Sequence, residues 1–148
     1  MSKITCLVLC LMAASLTTIS AMSDAEKAVF REAITPIILE CSTAHGVSQS
    51  EIDAAKKANS AEDIKPCFIG CVMKKMELID GKGQYSPEKG IESFKKFISD
   101  DAEIAKFEDI AKKCLKVNDQ AVSDGEAGCD RAKLVVNCAI EQKAEFPL

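Results

Sequence analysis

Apolar residues recur every three or four positions along most of this chain, which is the spacing of one face of an α-helix. The first such stripe follows Ser23 and Glu26, a capping-box pair, and Pro36 within it predicts a kink or break near Thr35. Gly46 is expected to end this helix. Because no stretch alternates with the two-residue period of a strand, the pattern predicts an all-α protein.

Five further helices are expected, and each has its own start signal. The second should end near Asn59, and the third should end at Gly81 and Gly83, where a loop opens. The sixth should run to about Lys143, and because it is apolar around much of its circumference, we expect it to be central and buried. The start signals, in chain order, are Ser48 with Glu51, Pro66, Ser86 with Pro87, Asp100 or Asp101, and Ser123 with Glu126.

The first residues have the layout of a secretory signal peptide. Lys3 supplies a positive charge, and the run from Ile4 to Leu16 is uncharged, mostly apolar and too short to cross a bilayer. With cleavage expected after Ala21, residues 1–21 are the signal and residues 22–148 form one domain. The predicted location is secreted and extracellular.

The charge balance narrows the range of partners. The chain carries a formal net charge of −4, and the loss of Lys3 with the signal makes it more acidic. An acidic surface argues against a nucleic-acid partner and against docking on anionic lipid. Since no later segment is long and apolar enough to span a bilayer, we expect a protein that is not membrane-embedded.

The cysteines give the most specific pattern in the sequence. Cys6 and Cys10 leave with the signal, so six of the eight remain, an even number that indicates a complete disulfide set in an oxidising compartment. Spacing alone leaves about fifteen pairings open. The gaps between the six contain 25, 3, 42, 14 and 8 residues. The remaining cysteines are Cys41, Cys67, Cys71, Cys114, Cys129 and Cys138.

One gap of three residues and a last gap of eight, with long gaps elsewhere, resemble the six-cysteine pattern of insect odorant-binding proteins, the pheromone and general odorant-binding family. The resemblance covers residues 22–148 and implies a compact bundle of about six helices around an apolar cavity. It also implies three interlocking disulfides, Cys41–Cys71, Cys67–Cys129 and Cys114–Cys138.

The function implied by the resemblance is that of a secreted carrier. It would reversibly bind small hydrophobic molecules, such as odorants or pheromone-like semiochemicals, in an extracellular fluid like sensillum lymph. A membrane chemoreceptor is a further candidate partner, and the expected state is a monomer or weak homodimer.

The apolar stripes supply candidate cavity walls, although most stripe residues are first of all core residues. Tyr85, Ser48 or Ser50 is a candidate to offer a hydroxyl to the polar end of a ligand. The apolar tail from Phe146 to Leu148 is expected to fold over the cavity as a lid. The predicted lining residues are Phe30, Ile34, Ile52, Phe68, Val72, Met76, Phe94, Phe97, Leu115, Val135 and Phe146.

Catalytic and metal-binding motifs are incomplete in this chain. His45 is the single histidine and is expected at a solvated helix end, and no G-x-S-x-G motif is present for a hydrolase. The C-x3-C spacing differs from the C-x2-C of zinc sites, and Asp80 to Gln84 has only part of a calcium loop, so we expect a turn there. We therefore expect no enzymatic activity, no cofactor and no metal.

Three other classes stay open beside the carrier. A plant-type lipid-transfer protein needs eight cysteines in the mature chain, with a C-C pair and a C-x-C. A saposin-like domain has six cysteines in a different spacing, with an early C-x2-C. The third is a secreted lipid- or protein-interaction module on the same scaffold with a filled core and no olfactory role. Saturable binding of a small molecule separates a carrier from this last class, and lipid extraction from vesicles would mark the saposin class.

Overall fold

The computed structural model describes residues 22–142, and within that range it contains six α-helices. Between α5 and α6 lie two short 3-10 helices, Cys114–Asp119 and Gly125–Ala127. In the same range, extended pairing is limited to an isolated bridge between Ile79 and Tyr85, so the prediction of an all-α fold is confirmed. The helices are α1 (Asp24–His45), α2 (Gln49–Ala58), α3 (Pro66–Lys75), α4 (Pro87–Phe94), α5 (Asp101–Lys113) and α6 (Cys129–Gln142).

The predicted signal, residues 1–21, and the tail, residues 143–148, lie outside the described residues.

The start and end of α1 follow the sequence signals. The backbone N–H of Ser23 donates to the Glu26 carboxylate at 2.8 Å, and the N–H of Glu26 donates to Ser23 Oγ at 3.2 Å, which completes a capping box. Gly46 ends the helix in the left-handed conformation at a φ of 61°. α1 runs continuously through Pro36, so the break allowed for near Thr35 does not occur. Pro36 lies on the exposed side, where water can satisfy the one carbonyl that loses its helical partner.

The predicted end of α3 is wrong. The helix stops at Lys75 instead of continuing to Gly81 and Gly83. Glu77 adopts a left-handed φ of 58°, and the N–H of Leu78 turns back to the carbonyl of Met73 at 2.8 Å. The chain therefore leaves the helix before Ile79, which forms an isolated antiparallel bridge with Tyr85.

The predicted start of α6 is also wrong. Ser123 and Glu126 do not form a capping box, and the helix begins at Cys129. Its cap is Asp124, whose carboxylate accepts the backbone N–H groups of Cys129 at 2.6 Å and Asp130 at 3.1 Å. The second 3-10 helix, which contains Glu126, separates the predicted start from the observed one.

α3 and α6 pack closely against each other at the centre of the fold. A Cβ atom at Gly70 would lie 3.2 Å from Cys129 Cα, so glycine permits this close approach. α1 packs on α3, and α4 packs on α5. From Gly128 to Cys138 no residue is exposed, as predicted for a central last helix.

The three disulfides tie this arrangement together, and they are the three pairs implied by the resemblance. Cys41–Cys71 joins α1 to α3, Cys67–Cys129 joins α3 to α6, and Cys114–Cys138 joins the end of α5 to α6. The bonded cysteines are 30, 62 and 24 residues apart. In the chain-entropy model, loops of these lengths each stabilise the fold by about 4 kcal/mol. α2 and α4 contain no cysteine and are held by noncovalent contacts alone.

Candidate ligand-binding cavity

All six helices contribute side chains to an apolar cavity of about 370 Å³, here called the main cavity. Its volume lies in the lower part of the usual range for small-molecule sites, roughly 300–1,000 Å³. Among residues 22–142, no charged side chain lines it. The lining residues are Ile38, Ile52, Phe68, Ile69, Val72, Met73, Met76, Leu78, Tyr85, Pro87, Ile91, Phe94, Phe107, Ile110, Ala111, Val135, Val136 and Ala139.

Helical spacing explains why these residues share one cavity. On α5, Phe107, Ile110 and Ala111 follow the three- and four-residue intervals that place side chains on one face. On α3, Phe68 and Val72 are four residues apart and face the same space. Each helix thus turns one apolar face toward a common centre without filling it.

A smaller cavity of about 170 Å³ adjoins the main one, and Met76 and Phe94 line both. Its other apolar walls include Phe30, Ile34 and Phe97. The ring of Phe30 stacks on Phe94 with centroids 5.2 Å apart and meets Phe97 edge-on at 5.8 Å. These aromatic contacts join α1 to the end of α4 on the wall of the smaller cavity.

Charged groups occur only at the smaller of these two cavities. Lys75 and Glu77 are among its lining residues, and Lys75 Nζ lies 2.8 Å from Glu40 Oε1 in an ion pair. The ammonium group thus already has an anionic partner within the protein.

A third cavity of about 300 Å³ lies beside α2 and shares Ile52 and Phe68 with the main cavity. Its other walls include the polar side chains of Lys56, Asn59 and Ser60. The main cavity is therefore the best candidate for holding an apolar molecule.

Tyr85 is the one described residue of the main-cavity lining whose side chain carries an N–H or O–H group. It is 6% exposed, and its backbone is fixed on both sides by Asn118. The N–H of Tyr85 donates to Asn118 Oδ1 at 2.9 Å, and Asn118 Nδ2 donates to the carbonyl oxygen of Tyr85 at 2.8 Å. Burial, with a smaller effect of the nearby Glu88 carboxylate, raises the pKa of Tyr85 to about 12. The phenol therefore stays protonated at neutral and mildly alkaline pH.

Nine of the eleven predicted lining residues lie on the two adjoining cavities, and whether they contact a ligand stays a prediction. The main cavity has Ile52, Phe68, Val72, Met76, Phe94 and Val135, and the smaller one adds Phe30, Ile34 and Phe97.

Two predicted residues fall elsewhere. Leu115 is a correction: it lies in the first 3-10 helix, is 37% exposed, and lines neither of the adjoining cavities. The chain changes from α-helix to 3-10 helix at Cys114, which turns Leu115 off the stripe that Ile110 continues. Phe146 and the lid it was expected to form lie outside the described residues.

Of the three residues proposed to offer a hydroxyl group, only Tyr85 is among the lining residues of these cavities. Ser48 caps α2, with its Oγ 2.7 Å from Glu51 Oε2. Ser50 is exposed and lies 2.9 Å from Ser48 Oγ. Both serines make their hydrogen bonds at the start of α2, and neither lines any of the three cavities.

Several lining residues were missed by the sequence reasoning. Ile69 and Met73 are not on the α3 face that contains the predicted residues Phe68, Val72 and Met76. They are buried because α3 packs against both α1 and α6. Leu78 enters the wall only because α3 ends early at Lys75. Val136 could have been found, since α6 is apolar around most of its circumference.

The segment from Asp80 to Gln84, considered above as part of a calcium loop, has a structural role. Asp80 Oδ1 accepts the backbone N–H groups of Lys82 and Gln84, each at 2.9 Å, which confirms the predicted turn. Between residues 22 and 142 no cluster of His, Cys, Asp or Glu is placed to hold a metal ion. In the same part of the chain no helix has the length and hydropathy needed to cross a bilayer.

A bundle of six helices around an apolar cavity, with three disulfides between its elements, is the architecture of a helical small-molecule carrier. The model of the PBP/GOBP family matches residues 23–142, and the chain belongs to this family, the insect odorant- and pheromone-binding proteins. The family is extracellular, binds small hydrophobic ligands as a carrier, and is not one of enzymes. No curated protein and no solved structure matches the chain.

Proposed function

We propose that this protein reversibly binds one small, uncharged, hydrophobic molecule in the main cavity and carries it through an extracellular fluid. The observation that supports this proposal most strongly is an apolar cavity of about 370 Å³ with no charged lining residue. An interaction module whose bridges merely stabilise a solid core would have no such space. Family membership favours an odorant or pheromone-like semiochemical as the molecule, a sensory fluid as the setting and a chemoreceptor as the recipient.

The size of the cavity favours one class of ligand over another. A volume of about 370 Å³ suits a compact molecule with a single chain or ring better than a two-chain lipid. The described part of its wall has no charged residue, which disfavours any ligand with a full charge, because an unpaired ion in such a space loses its hydration without compensation. The proposed cargo is therefore a medium-sized volatile rather than a phospholipid or an ionised acid.

The proposal predicts a saturable site that can be blocked by filling the cavity. An environment-sensitive lipophilic dye should bind at one per chain with a Kd of roughly 1 μM, and medium-length alcohols or esters should displace it. Val72→Trp should abolish dye binding while circular dichroism reports unchanged helix content, because Val72 lines the main cavity.

Val29→Trp is the matched control, because Val29 is 52% exposed and lines none of the three cavities. This variant should bind the dye as the unmodified protein does. Dye binding that never saturates, or that is equal in the two tryptophan variants, would exclude the main cavity as the site. Extraction of phospholipid from vesicles would favour a saposin-like activity instead.

A further inference from the structure

The main cavity is almost wholly apolar, and Tyr85 is its exception. Both hydrogen bonds of Tyr85 within the described chain use its backbone, so its hydroxyl has no protein partner there. A hydroxyl in an apolar space without a partner is unfavourable, and a ligand oxygen that accepts its hydrogen bond would relieve that cost.

Tyr85 is also held in place before any ligand arrives. The residues that precede it form a tight turn, in which the N–H of Asp80 donates to the carbonyl of Gln84 at 2.9 Å. The N–H of Ser86 donates to the carbonyl of Leu78 at 2.9 Å, and Asn118 fixes both backbone groups of Tyr85. A donor fixed in this way loses little conformational freedom on binding, which strengthens the bond it makes with a ligand.

We propose that Tyr85 is the specificity-determining residue of the main cavity and selects hydrophobic molecules that carry one uncharged oxygen acceptor, such as alcohols, aldehydes, ketones and esters. This inference rests on the proposed function and adds the chemical class of its ligand. Hydrocarbons cannot accept the hydrogen bond of the phenol. Carboxylates can accept it, but none of the described lining residues is a cation that could balance their charge.

The experiment compares four ligands of equal chain length: an alcohol, a methyl ester, a hydrocarbon and a carboxylate. Each displaces the same dye from the unmodified protein and from Tyr85→Phe. The variant should bind the alcohol and the ester about three- to tenfold more weakly, which corresponds to one lost hydrogen bond, and should bind the hydrocarbon unchanged or better. Ser86→Ala is the control, since its hydroxyl donates to Glu88 and lines none of the three cavities.

A second readout uses the unmodified protein and does not depend on how the variant folds. Tyr85 is the single tyrosine of the chain, and there is no tryptophan, so near-ultraviolet tyrosine absorption reports on this residue alone. The alcohol and the ester should shift that absorption to longer wavelength as the phenol donates to them, and the hydrocarbon should not.

The two readouts separate this inference from the proposed function. If the dye saturates but Tyr85→Phe weakens all four ligands by one common factor, or none of them, Tyr85 does not select the ligand although the carrier function stands. Equal absorption shifts with the alcohol and the hydrocarbon would likewise overturn the role of Tyr85. A dye that fails to saturate the unmodified protein would instead overturn the carrier function itself.

Discussion

Single side chains in this protein join segments that are far apart in the sequence. Glu26 completes the capping box of α1 through one carboxylate oxygen, and through the other it accepts the N–H and the hydroxyl of Ser99 at 2.8 and 2.7 Å. It thereby fastens the start of α1 to the connection between α4 and α5. The hydrogen bonds from Ser99, followed by those from Ser23, lower the pKa of Glu26 from 4.5 to about 2.

This pKa shift predicts an acid-dependent contribution of Glu26 to stability. Because the folded-state pKa is depressed, the contribution is present above about pH 4.5 and is lost as the pH falls toward 2. At neutral pH, the free energy of unfolding measured in urea should therefore be lower for Glu26→Gln than for the unmodified protein. Near pH 2 the two free energies should be the same. Glu32→Gln, which removes an exposed charge from the same helix, should show no such pH-dependent difference. If Glu26→Gln and the unmodified protein differed in stability by the same amount at every pH, the ionised Glu26 carboxylate would not have the stabilising role proposed for it.

At the residue scale, the hydrogen bonds that could be predicted were those between groups close together in the sequence. The capping boxes of Ser23 with Glu26 and of Ser48 with Glu51 both form as expected. The partners of Asp124, Asn118 and Arg131 could not be read from the sequence, because each is set by tertiary packing. Buried Arg131, for example, donates to the carbonyl oxygens of Val117 and Gln120 and so holds the first 3-10 helix against α6.

At the element scale, the end of α3 decides the shape of the binding space. The helix stops at Lys75, and the cap residue Met76 lies in the wall shared by the main and the smaller cavity. Methionine is flexible and half-buried here, so it is suited to move aside for a ligand longer than the main cavity. Had α3 continued to Gly81 as the sequence pattern suggested, Leu78 and Tyr85 would not reach the cavity as they do.

Shortening Met76 should therefore change the length of ligand that the protein prefers. Met76→Ala removes part of the wall between the two cavities, so within a series of linear alcohols the tightest-binding member should become longer. Met73→Ala is the matched control, because Met73 lines the main cavity but not the smaller one and its truncation adds volume without joining them. Displacement of the dye by each alcohol measures the effect. An equal shift in both variants would mean that volume alone, and not the shared wall, sets ligand length.

Helix existence was predictable here, while several boundaries were not. All six predicted helices are present in the described range, and α1 to α5 begin at their predicted start signals. The end of α3 depends on the left-handed conformation of Glu77. Glycine usually marks such a position in a sequence, so a glutamate there did not indicate the end of the helix. The residues that line the cavity were harder to predict than the helix boundaries. An apolar stripe shows which face of a helix is buried, but it does not show whether that face contacts other side chains or an empty space.

At the scale of the whole molecule, the fold combines cross-linked helices with an unfilled centre. Unfilled apolar volume costs on the order of 2 kcal/mol per 100 Å³, so a cavity of about 370 Å³ opposes folding by several kcal/mol. The three disulfides each contribute about 4 kcal/mol in the opposite direction, which is enough to offset that cost. The bridges thus allow a protein of this size to keep a cavity, and a bound ligand would add further stability by mass action.

The central claim is that the main cavity is the ligand site, and a crystal structure with a bromine-labelled ligand tests it most directly. A medium-length alcohol with bromine at its far end would be located by anomalous scattering. We predict one bromine peak per chain inside the cavity lined by Phe68, Val72 and Val135, with the alcohol oxygen about 2.5–3.0 Å from the Tyr85 hydroxyl. Bromine only on the outer surface, or an empty cavity at a saturating concentration of the alcohol, would contradict the account.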